Sequence, residues 1–122
     1  MRIALIFGLS LCLIACHTTK KATTSAPIVI NASDSVQGLK LIEGDNCFTC
    51  HRKDDLLIGP SFMSIANKYH STVDDLAKLS IKILAGGSGV WGEIPMVPHP
   101  YLNKADTEKM VKYILSLKNK TP

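Results

Sequence analysis

Two thiols and an imidazole stand close together in the run DNCFTCHRK, residues 45–53, as Cys47, Cys50 and His51. Three chemistries use such a group. Paired thiols can cycle with a disulfide, two thiolates and an imidazole can supply part of a zinc site, and two thiols followed at once by a histidine can attach a haem covalently. On a helix, positions 47, 50 and 51 fall at i, i+3 and i+4, so their side chains share one face. Each thiol can then reach one vinyl edge of the same porphyrin, and the imidazole rises toward its iron. A structural zinc site needs four ligands. Beyond this run the ordered part of the chain offers only His70 and His99, and no second Cys-x-x-Cys. A thioredoxin-like redox pair needs a βαβ setting.

The elements that must position this group read as helices. Ser33 or Asp34 can cap a first one, with Val36, Leu39 and Ile42 on one side, running toward Cys47. Pro60-Ser61 opens a second, with Phe62, Ile65 and Tyr69 at helical spacing. Ser71 or Thr72 caps a third, where Asp74 and Asp75 suit the positive end and Val73, Leu76, Leu79 and Ile83 form the apolar stripe. Gly86-Gly87 stops it. Asn103 caps a fourth, with Met110, Val111, Ile114 and Leu117 facing inward. No alternating strand is evident, so the predicted fold class is all-α with four helices. Between the third and fourth helices runs a long non-helical stretch, GGSGVWGEIPMVPHPY, of a length that inside a compact domain usually serves a function.

The front of the chain reads differently. Met1-Arg2 is positive and Ile3 to Ala15 is almost wholly apolar. Thirteen such residues make a helix of about 20 Å, short of the ~30 Å hydrocarbon core, so residues 1–15 read as an export signal rather than a span. Leu13-Ile14-Ala15-Cys16 looks like a bacterial lipoprotein box, with cleavage before Cys16 and lipid attached to it. Residues 16–33, rich in Thr, Ser, Lys and Ala, read as a flexible tether, apart from an Ile28-Val29-Ile30 patch that can touch the domain. The folded domain is then 34–122. Cys12 leaves with the signal and Cys16 carries lipid, so Cys47 and Cys50 alone remain in an oxidising compartment, where two free thiols tend to pair unless they have another fate. Without Arg2, Lys20 and Lys21 the domain holds 11 basic against 10 acidic residues, interspersed, which gives no support to nucleic-acid binding.

From Val36 to Lys118 the chain resembles the small bacterial class I cytochromes c. The matches come in order: CFTCH, then IGPSF, then GVWGEIPMVPHP, then a terminal amphipathic helix. The resemblance implies a fold of four helices around one haem c, covalently held through Cys47 and Cys50. It implies His51 as one iron ligand and Pro60 as the residue whose carbonyl orients that imidazole. It places the thioether ligand at Met96, between Pro95 and Pro98, rather than at Met63 or Met110. It makes Trp91 the donor to a haem propionate and Lys82 a basic propionate partner. One departure stands out: Val97-Pro98-His99 replaces the family's common Pro-Pro-Asn. The asparagine donor to the methionine sulfur is therefore lost or replaced by an imidazole, and His99 becomes a rival iron ligand.

With both axial positions filled, such a haem transfers electrons and does not bind substrate. The expected protein is an electron carrier rather than an enzyme, exported and lipid-anchored at the periplasmic face of a membrane. Its partners would be a dehydrogenase or quinol-oxidising complex on one side, and a terminal oxidase, a reductase or a blue-copper protein on the other. Docking is expected at an apolar edge near Val90, Ile94 and Val97. The alternatives are a haem subunit of a larger redox enzyme, or a peroxidase or gas sensor with an open distal position.

Overall fold

The computed structural model describes residues 25–118; the signal segment, Cys16 and the first part of the tether lie outside the described residues. The helices are α1 (Ala32–Gly44), α2 (Phe62–Lys68), α3 (Val73–Ala85) and α4 (Lys104–Leu115), with one 3-10 turn at Cys47–Thr49. The first and last long helices begin with the same device. Asn31 Oδ1 accepts from the Asp34 amide at 2.7 Å while Asn31 Nδ2 donates to the Asp34 carboxylate. Asn103 and Asp106 repeat both bonds. Asp34 therefore stands inside the first turn, where its charge suits the helix dipole, and the cap lies earlier than Ser33. Ser61 and Thr72 cap α2 and α3 as their sequences predict.

The core is built around α4, which packs against α1, α2 and α3. Met110, Val111, Ile114, Leu115 and Leu117 meet Ile42 of α1, Phe62, Ile65 and Ala66 of α2, and Leu76 and Leu79 of α3. Helices α1 and α4 cross at Gly38, where a β-carbon would overlap the Lys109 carbonyl and come within 2.9 Å of Tyr113 Cβ. That close crossing also explains Val36, expected inside but 56% exposed. Two residues from Gly38 it lies about 200° round the helix. Val73 is exposed too, because it opens α3 at the surface. The crossing is fastened by Lys112 Nζ to Asp34 at 2.6 Å.

Gly38→Ala is expected to cost about 2–3 kcal/mol through overpacking, a fall in melting temperature of roughly 10 °C or more. Gly44→Ala, at the end of the same helix, meets nothing within 4 Å and should leave stability unchanged or raise it slightly. Thermal unfolding of the two variants side by side checks this.

Two features depart from the sequence reading. The long stretch after α3 is not wholly irregular. Gly87–Gly89 (β1) and Gly92–Met96 (β2) form an antiparallel pair, with Gly87 opposite Met96 and Gly89 opposite Gly92. No alternation announces it, because nearly every residue of the hairpin is exposed on both faces. The contact expected of Ile28-Val29-Ile30 meanwhile extends further back along the tether, to Ser25. Pro27 bridges Thr72, and Ile28 and Ile30 pack on the core.

Candidate functional site

Between α1 and the 3-10 turn, Asn46 takes a left-handed conformation, φ 57°, which asparagine tolerates better than most residues. The turn then places Cys47 and Cys50 on one wall, with the Cys50 and His51 amides both donating to the Cys47 carbonyl. Both thiols are free. Burial, with help from the Asp45 carboxylate, pushes the Cys47 thiol up, so it stays a neutral S–H and a poor partner for oxidation. Among the described residues, no three His, Cys, Asp or Glu side chains gather as a cluster fit to hold a metal ion.

His51 is buried and held on several sides. Its Nδ1 lies 2.7 Å from the Pro60 carbonyl. A carbonyl can only accept, so Nδ1 carries the proton and Nε2 keeps its lone pair. Phe62 stacks on the ring at 5.4 Å between centroids, 17° from parallel. Gly59 lies against the ring, and a β-carbon there would stand 2.5 Å from Cε1 and 2.9 Å from Nδ1. The loop that carries Gly59 is tied down by its amide to the Cys50 carbonyl and by the Phe62 and Met63 amides to the carbonyls of Arg52 and Lys53. Gly59→Ala is expected to tilt the imidazole away from Pro60 and to cost about 1–3 kcal/mol of stability in the haem-loaded protein. Denaturant unfolding followed at the Soret band measures it.

The opposite wall comes from α3 and the hairpin. Gly86, at φ 66°, turns the chain so that its backbone packs on Met96 to Pro98, where a β-carbon would overlap the Met96 carbonyl. Lys82 Nζ bonds the carbonyls of Gly87 and Ser88 at 2.7 and 3.2 Å, and the His99 amide bonds Ile83. Trp91 is 43% exposed, with Lys68 Nζ 5.1 Å from its ring centre. His99 Nδ1 lies 3.0 Å from the Tyr101 hydroxyl.

Between these walls is a cavity of about 680 Å³. Its lining includes Cys47, Cys50, His51, Pro60, Lys82, Trp91 and Met96, so the structure brings together all seven residues singled out from the sequence. His99 lines it as well. Met110 is a core residue, 1% exposed, and touches only a smaller apolar hollow behind the main one. Met63 lines neither. Sequence reasoning missed Gly59, Phe62 and Lys68, whose roles rest on contacts with no local signature.

The volume falls within the ~300–1,000 Å³ usual for small-molecule and cofactor sites. Aliphatic walls, two thiols, an imidazole fixed by its bond to Pro60 and a thioether in one lining suit a covalently held metalloporphyrin. These are the features of a haem protein of the c type.

The comparisons with known proteins agree. The family model for cytochrome c matches residues 35–118. Cytochrome c-552 of Nitrosomonas europaea is 35% identical over 96 residues, 79% of this chain and 93% of the relative. Cytochrome c-551 of Azotobacter vinelandii is 38% identical over 81 residues, 66% of this chain and 98% of the relative. The crystal structure of wild-type Nitrosomonas europaea cytochrome c552 superposes with a TM-score of 0.61 at 39% identity, covering 66% of this chain and 99% of that one. The chain belongs to the cytochrome c family. It has the all-α fold of the class I members, carries haem c joined through cysteine, and is a small electron carrier rather than an enzyme.

Proposed function

We propose that this chain is a lipid-anchored, single-haem carrier at the periplasmic face of a bacterial membrane. It takes one electron at a time from a dehydrogenase or quinol-oxidising complex and delivers it to a terminal oxidase, a reductase or a blue-copper protein. The observation that supports electron carriage most is the shared cavity, whose lining includes Met96 together with Cys47, Cys50 and His51.

Cys47 and Cys50 would hold the haem by adding their S–H groups across its two vinyl bonds, giving two thioethers with no net oxidation. His51 would offer Nε2 to the iron, and its bond to Pro60 fixes the ring and raises its basicity. Met96 would be the second protein ligand to the iron, and Trp91 and Lys82 would meet the propionates. When bound, the haem would supply a reversible one-electron couple. With His51 and Met96 both committed to the iron, electrons would move with little rearrangement and substrates would find no open site. Val90, Ile94 and Val97 line the cavity and would form the apolar edge where the haem meets its partners.

Among the described residues no helix is long and apolar enough to cross a membrane. The anchor is assigned to lipid on Cys16 because Leu13-Ile14-Ala15-Cys16 resembles a lipoprotein box. Several acyl chains at about 0.8 kcal/mol per buried CH₂ hold firmly. Cys16→Ser should release the protein to the soluble fraction and leave the haem spectrum unchanged. A mutant whose signal is cleaved but which stays in the membrane pellet after a salt wash would overturn the anchor.

A further inference from the structure

The first three amides of α3 are those of Val73, Asp74 and Asp75, and helix geometry leaves such groups without intrahelical partners. Asp75 is served by Thr72 Oγ1 at 3.3 Å. The other two are served from outside the helix: Val73 donates to the Ala26 carbonyl at 3.0 Å and Asp74 to Ser25 Oγ at 3.0 Å. Ile28 closes the ladder by donating to the Ser71 carbonyl at 2.8 Å. Ile28 and Ile30 pack on the core, while Val29 between them is 81% exposed. Residues 25–30 are thus a one-sided extended strap laid across the turn between α2 and α3. They precede the residues matched by the family model, which begin at 35.

We propose that this strap fixes the face the domain turns toward the bilayer. The inference rests on the lipid anchor at Cys16. With the strap docked, the chain leaves the domain at Ser25, beside the start of α3, which makes the α2–α3 turn the point of attachment and biases that face toward the lipid surface. Residues 17–24 are then the whole connection to the lipid. Eight residues span at most about 29 Å even when fully extended. A domain of this size is itself about 30 Å across. The haem is therefore kept within roughly one further diameter of the membrane and serves partners there. Undocked, the chain would run free to Asn31. Its maximum length would rise to about 50 Å, and the domain could present any face. Helix α3 carries the strap at one end and Lys78, Leu79 and Lys82 along the cavity, so the attachment point and the haem wall belong to one rigid element.

The test uses full-length, lipidated, haem-loaded protein on vesicles of phosphatidylethanolamine and phosphatidylglycerol with a trace of headgroup-labelled fluorescent lipid, whose emission the haem quenches. Hydrogen exchange of the Ile28, Val73 and Asp74 amides reports the strap directly. Ile28→Asp with Ile30→Asp should unprotect these amides, leave the Soret spectrum intact and lower quenching, since the connection lengthens from eight residues to fourteen. Ile28→Ala with Ile30→Ala gives the same comparison if the aspartates prevent folding. A Gly-Ser insertion of eight residues after Lys21 should lower quenching with the strap still protected. Rapid exchange of all three amides in the unmodified protein overturns the proposal. So does unchanged quenching in a variant whose strap is demonstrably released. Failure of the anchor itself shows separately, as Cys16→Ser protein that remains on membranes, while the exchange data on the strap stand either way.

Discussion

Cys47→Ser combined with Cys50→Ser yields a chain that loses all pigment on acid–acetone extraction and does not keep native packing. The chemical half of this expectation is direct: a hydroxyl does not replace the thiol in adding to a vinyl group, so no covalent link forms. The energetic half follows from the cavity. The cavity of about 680 Å³ is open to solvent and lined largely by apolar side chains, so without a covalently held group to fill it those walls lose their packing partner to water. Whole domains are stable by only about 5–15 kcal/mol, which leaves little to offset such a loss. Helical content should therefore persist in part while near-ultraviolet circular dichroism is lost. Either single replacement keeps one thioether and should keep its colour. Pigment retained by the double variant through extraction would show that the haem is attached elsewhere.

Met96→His lowers the midpoint potential, by an expected ~100 mV or more. Imidazole stabilises ferric iron better than a thioether does, and axial-ligand choice spans roughly 0.8 V among haem proteins. For one electron about 59 mV is a tenfold change in the equilibrium constant, so even the lower figure shifts the electron-transfer equilibrium about fiftyfold. Met63→His is the control, because Met63 lies outside the cavity lining. His99→Ala is the second control, since His99 does line the cavity, with Nδ1 beside the Tyr101 hydroxyl. Spectroelectrochemical titration of the three variants decides. A potential that moves with Met63 or His99 and not with Met96 removes Met96 from the iron.

The helices were legible because each combines an apolar period with a capping residue, and Asn103 and Thr72 cap where their positions imply. The cavity residues were legible because Cys-x-x-Cys-His, Ile-Gly-Pro and Pro-Met-Val-Pro are short runs with a chemical purpose. What escaped is contact between distant segments. Gly38 looks like any other glycine until the Lys109 carbonyl is seen against it, and Gly59, though part of the Ile-Gly-Pro run, does not announce the His51 ring that it packs on. The Ile28-Val29-Ile30 patch pointed to a contact with the domain, but the bonds of Ser25 and Ala26 to amides at the start of α3 have no pattern in the segment. The hairpin was hidden by its glycines: Gly87, Gly89 and Gly92 all have positive φ, and a ladder of such residues has neither the bulk nor the alternation of an ordinary strand.

The crossing of α1 and α4 bears on how this molecule comes into being. Lys112 and Asp34 meet across 78 residues of chain. Closing a loop of that size costs about 4 kcal/mol of entropy before the contact returns anything. Because α4 touches every other helix, no earlier portion of the chain owns a finished interior. Synthesis from the amino end therefore leaves α1, α2 and α3 waiting with their apolar faces unmatched until the final helix arrives. During that interval the thiols of Cys47 and Cys50 belong to an open chain, which is the form in which a bulky planar group can be brought to them from any side.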